Sequence, residues 1–292
     1  MKRFIYSLII LSIPLFACTI STTVTPPVVT ALPVVTKTTA VTENPVVTVP
    51  PVVTETPSMT VAPVVQPNVI CNELSLYVDP ALASGHDCKT VPESNDLNGP
   101  GFDLNPQYTE LTFTGYVLPD RFFTPQISVY PVQRFSELVP DVIPQRVTAL
   151  QALTGGGSVG DQGLPLLPVF NAAQELYAQY NVIAFQSGSG VRFLTQYSQA
   201  ADPINNHEMF FTFQGLTSDG KYWISAILPI SNPILPENGD NPPNGQSWDQ
   251  FSNNFVPYIA DMQTLLNNQV AGSFTPTITA LDALIASITI QP

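Results

Sequence analysis

The chain has 292 residues, with 9 Lys and Arg against 22 Asp and Glu and a formal net charge of −13. So acidic a surface repels nucleic-acid phosphates and anionic lipid headgroups, which argues against a DNA, RNA or headgroup-binding role. The 30 prolines and the scarcity of lysine suit an exported protein with many polar, uncharged turns.

The chain opens with Lys2 and Arg3, followed over residues 4–16 by an apolar run broken only by Ser7, Ser12 and Pro14. That run is short of the ~20 apolar residues a bilayer span needs. A basic start, a short apolar middle and a small residue before the cut is the layout of a signal peptide, expected over residues 1–17.

Leu15-Phe16-Ala17-Cys18 resembles the lipobox of bacterial lipoproteins, with Phe16 larger than the family's usual residue. The resemblance covers the first 18 residues. It implies that Cys18 carries a diacylglyceryl group, becomes the mature N-terminus and anchors the protein outside the cytoplasm. Thr19 follows the cysteine where an aspartate would signal retention at the inner membrane. An ordinary secretory cleavage is the alternative.

Residues 18–68 read as a tether. Pro-Val-Val-Thr recurs at 27–30, 33–36, 45–48 and 51–54, with a broken copy at 63–65. Proline fixes φ and removes a backbone donor, so neither a helix nor a sheet ladder propagates, and extended polyproline II is preferred. At ~3.1 Å per residue such a stalk would reach ~155 Å. Its threonines fit O-glycosylation by composition. The Val-Val pairs could alternatively lend the folded part a short edge strand.

Residues 69–292 hold six Lys and Arg against twenty Asp and Glu, and form the expected extracytoplasmic domain. Cys71 and Cys88 are expected to form a disulfide, because an exported protein meets an oxidising compartment. Two free buried thiols are the alternative. The closed loop is worth ~3 kcal/mol in the chain-entropy model.

Residues 74–78 alternate apolar and polar and predict a first strand, and 92–106 is turn-rich. Strands are expected at 111–118 and 126–132. Ile143, Val147, Leu150 and Leu153 predict a helix, and residues 154–163 a glycine-rich loop. Phe170, Ala173, Tyr177 and Tyr180 predict a second helix, followed by strands at 181–186 and 191–197. Residues 209–216 and 221–229 flank Thr217-Ser218-Asp219-Gly220 and predict a hairpin. Ser247 and Gln250 form a capping box for a long helix that Pro257 should kink. Thr275-Pro276 should open the last helix, whose buried face is Ile278, Leu281, Ile285 and Ile288. The fold class expected is α+β, with helices on a mainly antiparallel sheet. Residues 208–290 faintly resemble domains of the Mog1/PsbP-like lipoprotein type, which implies an α/β/α sandwich and no catalytic residues.

Chemistry is sparse. Gly156-Gly157-Ser158-Val159-Gly160 matches G-x-S-x-G, with Asp202 and His207 following in hydrolase order, but the residues before Ser158 are helical in pattern rather than a strand. Gly155 to Gly160 also fits G-x-G-x-x-G, without the required strand. His86 and His207 are the only histidines, too few for a histidine metal site. Arg192, inside an apolar strand, is expected to pair with Asp202 or Glu208. Asp96 and Asp103 in one acidic loop and Asp240 in another are calcium candidates without EF-hand spacing, solvated turns being the plainer reading. Tyr116, Phe122, Phe123, Tyr130, Trp223 and Trp248 are either core or the lining of a ligand groove. The leading reading is a lipid-anchored binding or scaffolding domain of the cell envelope with an unknown extracellular ligand, and the second an extracellular hydrolase of glycans or peptides. A purely structural envelope component is a third.

Overall fold

The computed structural model describes residues 66–96, 103–160 and 163–291. The signal, Cys18 and nearly all of the tether lie outside the described residues. Among those described, no helix is long and apolar enough to cross a membrane.

The fold is α+β, built on a seven-stranded antiparallel sheet in the order β3-β4-β5-β11-β10-β8-β7. Its strands are β3 (Ala83–Val91), β4 (Tyr108–Tyr116), β5 (Gln126–Pro131), β7 (Ala178–Phe185), β8 (Gly188–Thr195), β10 (Phe210–Thr217) and β11 (Tyr222–Pro229). A small sheet joins β1 (Val69–Cys71), β2 (Leu74–Leu76) and β12 (Thr289–Ile290), and a two-stranded ribbon pairs β6 (Ala173–Gln174) with β9 (Tyr197–Ser198). The helices are α1 (Val132–Leu138), α2 (Ile143–Thr154), α3 (Trp248–Asn253), α4 (Phe255–Asn267) and α5 (Ile278–Ala286).

Side chains alternate across a strand, and here both faces are covered. Along β10, Phe211 and Phe213 join a core shared with α5 and the small sheet. Phe210 and Leu216 join a second core with α1, α2 and residues 164–167. All eight residues of β10 are buried, including the polar Thr212, Gln214 and Thr217. The β10–β11 hairpin forms as the Asp219-Gly220 signal predicts, with Gly220 at φ 70° and Asp219 Oδ1 accepting from Thr217 Oγ1 at 2.7 Å.

One cross-strand row on the second face is polar. Lys89, Glu110, Ser128, Ser225 and Gln214 stand opposite one another in turn across β3, β4, β5, β11 and β10. Lys89 Nζ lies 2.7 Å from Glu110 Oε1 at the outer end. Gln214, fully buried, accepts from Trp223 Nε1 at 2.8 Å and donates to Thr212 Oγ1 at 2.8 Å and Ser225 Oγ at 2.9 Å. Ser128 Oγ is buried with no partner.

Cys71 and Cys88 form the expected disulfide, with Cα atoms 5.5 Å apart, and it ties β1 of the small sheet to β3 at the edge of the large one. Asn68 fastens the chain where it enters the fold: its side-chain amide pairs with both the N–H and the C=O of Val78, each at 2.8 Å.

Several elements differ from expectation. The helix expected around residues 170–180 is instead β6 and the start of β7. Phe170, Tyr177 and Tyr180 still pack on the second core. Gln179 sits at φ 53° in a β-bulge, and its amide donates to the carbonyls of Leu266 and Gln269 at the end of α4. The capping box at Ser247 is present. The long helix divides at Asn254, because Pro257 offers no N–H for Asn253 and is tolerated only in the first turn of α4. The last helix is capped by Thr277, not Thr275, its hydroxyl accepting from Ala280 N at 3.2 Å. Ile288 lies just beyond it and is buried.

Arg192 pairs with neither Asp202 nor Glu208. Its Nε is 3.2 Å from Asp282 Oδ1 on α5, an ion contact whose angle makes no hydrogen bond, and its Nη1 donates to Gln179 O. The register aims Arg192 at the first face, where α5 lies, while Asp202 and Glu208 bond to Ser198 and Gln196, past the end of β8. Burial raises the Asp282 pKa and lowers that of Arg192, each partly offset by the other. Arg192→Met should therefore leave Asp282 half-buried and unpaired and lower unfolding stability by about 1–3 kcal/mol. Urea unfolding measures this, and an unchanged midpoint would mean that the pair does not hold α5 to the sheet.

Candidate functional site

The β6–β9 ribbon stands beside the second core, and its two faces carry different chemistry. Gln174 is paired with Tyr197, and Ala173 with Ser198. Successive residues of a strand point to opposite sides, so the first pair looks one way and the second, with Glu175, the other.

On the Gln174–Tyr197 side lies a cleft of about 380 Å3 between the ribbon and α2. Leu164 and Pro165 form its apolar wall, and Gln145 and Arg146 on α2 face them, with Asp141 at the rim. The wall is fixed from behind. Leu164 N donates to Gln174 Oε1 at 3.0 Å, and Gln174 Nε2 donates to Tyr197 OH at 3.2 Å. Gly163 has φ 73°, and a Cβ there would meet Gln174 Oε1 at 2.6 Å, so glycine is required.

Arg146 is the distinctive group. The other five cationic side chains among the described residues each meet a carboxylate: Lys89 with Glu110, Arg121 with Glu237, Arg134 with Glu93 and Glu137, Arg192 with Asp282, and Lys221 with Asp219. Arg146 meets none. One of its five N–H donors reaches Leu166 O, and its side chain makes no other hydrogen bond among the described residues. Burial lowers its pKa, with Tyr197 acting the other way, and arginine stays charged regardless. The Tyr197 hydroxyl, pushed up to about 12 chiefly by burial, remains a neutral donor. Its ring packs edge-on to Phe170 at 5.0 Å and stacks on Phe210 at 6.2 Å, so only the hydroxyl end is available to the cleft.

On the opposite side is a shallow groove bordered by Glu175, Ser198 and Phe255. Burial, and secondarily the charge of Asp202, raise the Glu175 pKa to about 7. Asp202 accepts a hydrogen bond from Ser198 Oγ.

The residues singled out in the sequence fall elsewhere or have ordinary partners. Ser158 is exposed in the loop after α2, Asp202 is engaged by Ser198, and His207 Nδ1 meets Asp120 O at 3.1 Å, so no triad assembles. Glu208 accepts from Gln196 Nε2 at 3.0 Å and from Asn205 Nδ2 at 3.2 Å. His86 lies exposed on β3. Of the calcium candidates, Asp103 and Asp240 are exposed, and Asp96 and Asp103 flank residues 97–102, which lie outside the described ones. Among the described residues no group of three His, Cys, Asp or Glu converges as metal ligands. Tyr130 and Trp223 are core, and the Tyr116 hydroxyl donates to Pro229 O at 2.9 Å. Phe123 packs on Phe170 and Phe210, while Phe122 and Trp248 are exposed. Arg146 was not singled out: at an ordinary helical position it carries no motif, and only the absence of an ion-pair partner among the described residues marks it.

Comparison with protein-family models, curated proteins and solved structures finds no match for this chain.

Glu175 generates a pH prediction. Its folded pKa lies above the ordinary carboxyl value, so the native state binds more protons than the unfolded chain between pH ~4.5 and ~7. The contribution of Glu175 to stability is thus full below that window and declines as pH rises through it. Glu175→Gln should leave Tm unchanged at pH 4 and raise it above wild type at pH 8. A difference independent of pH would assign the effect to packing rather than to the buried charge.

Proposed function

We propose that this protein is a lipid-anchored, extracytoplasmic binding module of a bacterial cell envelope, carried on a Pro/Val/Thr-rich tether. The observation that carries the binding role is the cleft under α2, where a charged guanidinium keeps most of its donors unused in a domain crowded with carboxylates. Concave sites with a few convergent polar groups are where small ligands bind. The export reading is supported by the basic and apolar start, the cysteine placed as in a lipobox, and a disulfide of the kind that persists in oxidising compartments. A ligand that binds only the folded state raises Tm by mass action. The mature chain, assayed in detergent with a panel of cell-wall peptides and glycans, should show a reproducible rise for one ligand class. No rise across the panel would move the reading to a scaffold. In cells, Cys18→Ser should shift the protein from the membrane to the soluble fraction, and unchanged membrane retention would remove the anchor.

Glu175 and Asp202 favour a second reading, an extracellular glycan hydrolase. A carboxyl whose pKa is raised to about 7, chiefly by burial, beside a second carboxyl group is the pairing that glycoside hydrolysis uses. Release of reducing ends from cell-wall glycans, abolished by both Glu175→Gln and Asp202→Asn, would establish it. Absence of turnover with wild-type protein would dismiss it.

A further inference from the structure

We infer that the cleft under α2 binds the free C-terminal end of a peptide, with the terminal carboxylate on Arg146. The inference rests on the binding reading above and names the ligand class for that site.

Arg146 calls for an anion, since among the described residues its guanidinium has a single hydrogen bond, to Leu166 O, and no carboxylate partner. A planar fork of N–H donors matches a carboxylate, which it grips through two parallel bonds. Asp141 at the rim opposes a second negative charge, so a monoanion is preferred to a phosphate dianion. The remaining polar groups suit an amide. Gln145 offers both a donor and an acceptor, and the Tyr197 hydroxyl, already accepting from Gln174, has its own proton to give to a carbonyl. Leu164 and Pro165 give a side chain an apolar surface. A sugar acid fits less well. Sugars stack on open aromatic faces, whereas the Tyr197 ring is occupied by Phe170 and Phe210. The volume of about 380 Å3 holds one or two residues of a chain end rather than a long peptide.

The test is calorimetric titration of the mature chain with N-acetyl dipeptides ending in Ala, Leu, Phe or Lys, each as free acid and as C-terminal amide. Inorganic phosphate and glucuronate serve as the competing anions. At least one free acid should bind, with its amide at least tenfold weaker and both competing anions weaker still. Arg146→Met should abolish binding, and Arg146→Lys should weaken it at least tenfold while keeping the charge. Asp141→Asn should raise the affinity for phosphate without lowering that for the acid. The loop contact to Leu166 is a structural role for Arg146, so the melting temperature of each variant without ligand is read in parallel. Arg146→Lys should retain most of it. Equal binding of acid and amide, unaltered affinity in Arg146→Met, or no acid bound at millimolar concentration would each overturn the inference. If the acids fail while another envelope ligand raises Tm, the binding module survives without this ligand class; if every ligand fails, both readings fall together.

Discussion

The side chain of Gln214 is the clasp on which the cleft depends. It sits fully buried in the middle of the large sheet and reaches out of it to the 164–167 segment. Leu167 N donates to its Oε1 at 3.0 Å, and Ser225 next to it donates to Leu167 O at 2.5 Å. A loop crossing a sheet face has backbone groups that need partners once water is gone, and an unpaired buried group costs about 1–3 kcal/mol. Gln214 and Ser225 supply those partners from the sheet itself. The loop is therefore set at a defined height, with Leu164 and Pro165 as the cleft wall and the Leu166 carbonyl held where Arg146 can donate to it. The polar row across the sheet is thus a device for docking a loop, and Ser128 is its one buried hydroxyl without a use in that docking.

The ribbon adds a second constraint. A two-residue strand pair has two faces, and period-two alternation sends Gln174 and Tyr197 toward Arg146 while Ser198 and Glu175 turn away. Without that separation, the carboxylates of Glu175 and Asp202 could neutralise the guanidinium. Each side keeps an unbalanced group: an arginine without an anion on one, and a carboxyl held up toward neutrality on the other. An internal ion pair such as Arg192 with Asp282 contributes to structure and is silent toward ligands. The same residue type left unpaired at a cavity is free to act on one.

How much of this was legible in the sequence depended on whether the determining interactions were local. The β10–β11 hairpin, the Ser247–Gln250 capping box and the α2 stripe are written in residues a few positions apart, and they form as read. β3 escaped because it is an edge strand with most of its side chains exposed, so Ala-Ser-Gly-His-Asp-Cys-Lys-Thr-Val shows no apolar alternation. The 170–180 stretch misled because Phe170, Tyr177 and Tyr180 meet one core from an irregular ribbon and a bulged strand. Their spacing imitated a helical stripe. The partner of Arg192 was sought among nearby acids, whereas the sheet register selected Asp282, ninety positions along the chain. The cleft was the least legible, since its signal is an absence: a cation that pairs with no carboxylate among the described residues.

That absence carries weight because of the charge balance of the domain. With twenty carboxylates and six cations in residues 69–292, a cation finds an acid easily, and five do so. Keeping the sixth unpaired requires geometry, and each part of that geometry is visible. The loop wall is fixed by Gln214, the ribbon turns its acids away, and the Leu166 carbonyl restrains the guanidinium without cancelling its charge. A carbonyl dipole neutralises far less than a carboxylate would, so the guanidinium keeps its charge inside the cleft, with the Asp141 carboxylate at the rim. In water, such a local positive charge draws small anions while the surrounding negative charge discourages large polyanions. The same fold that makes this domain acidic therefore makes the one cation without a carboxylate partner among the described residues selective.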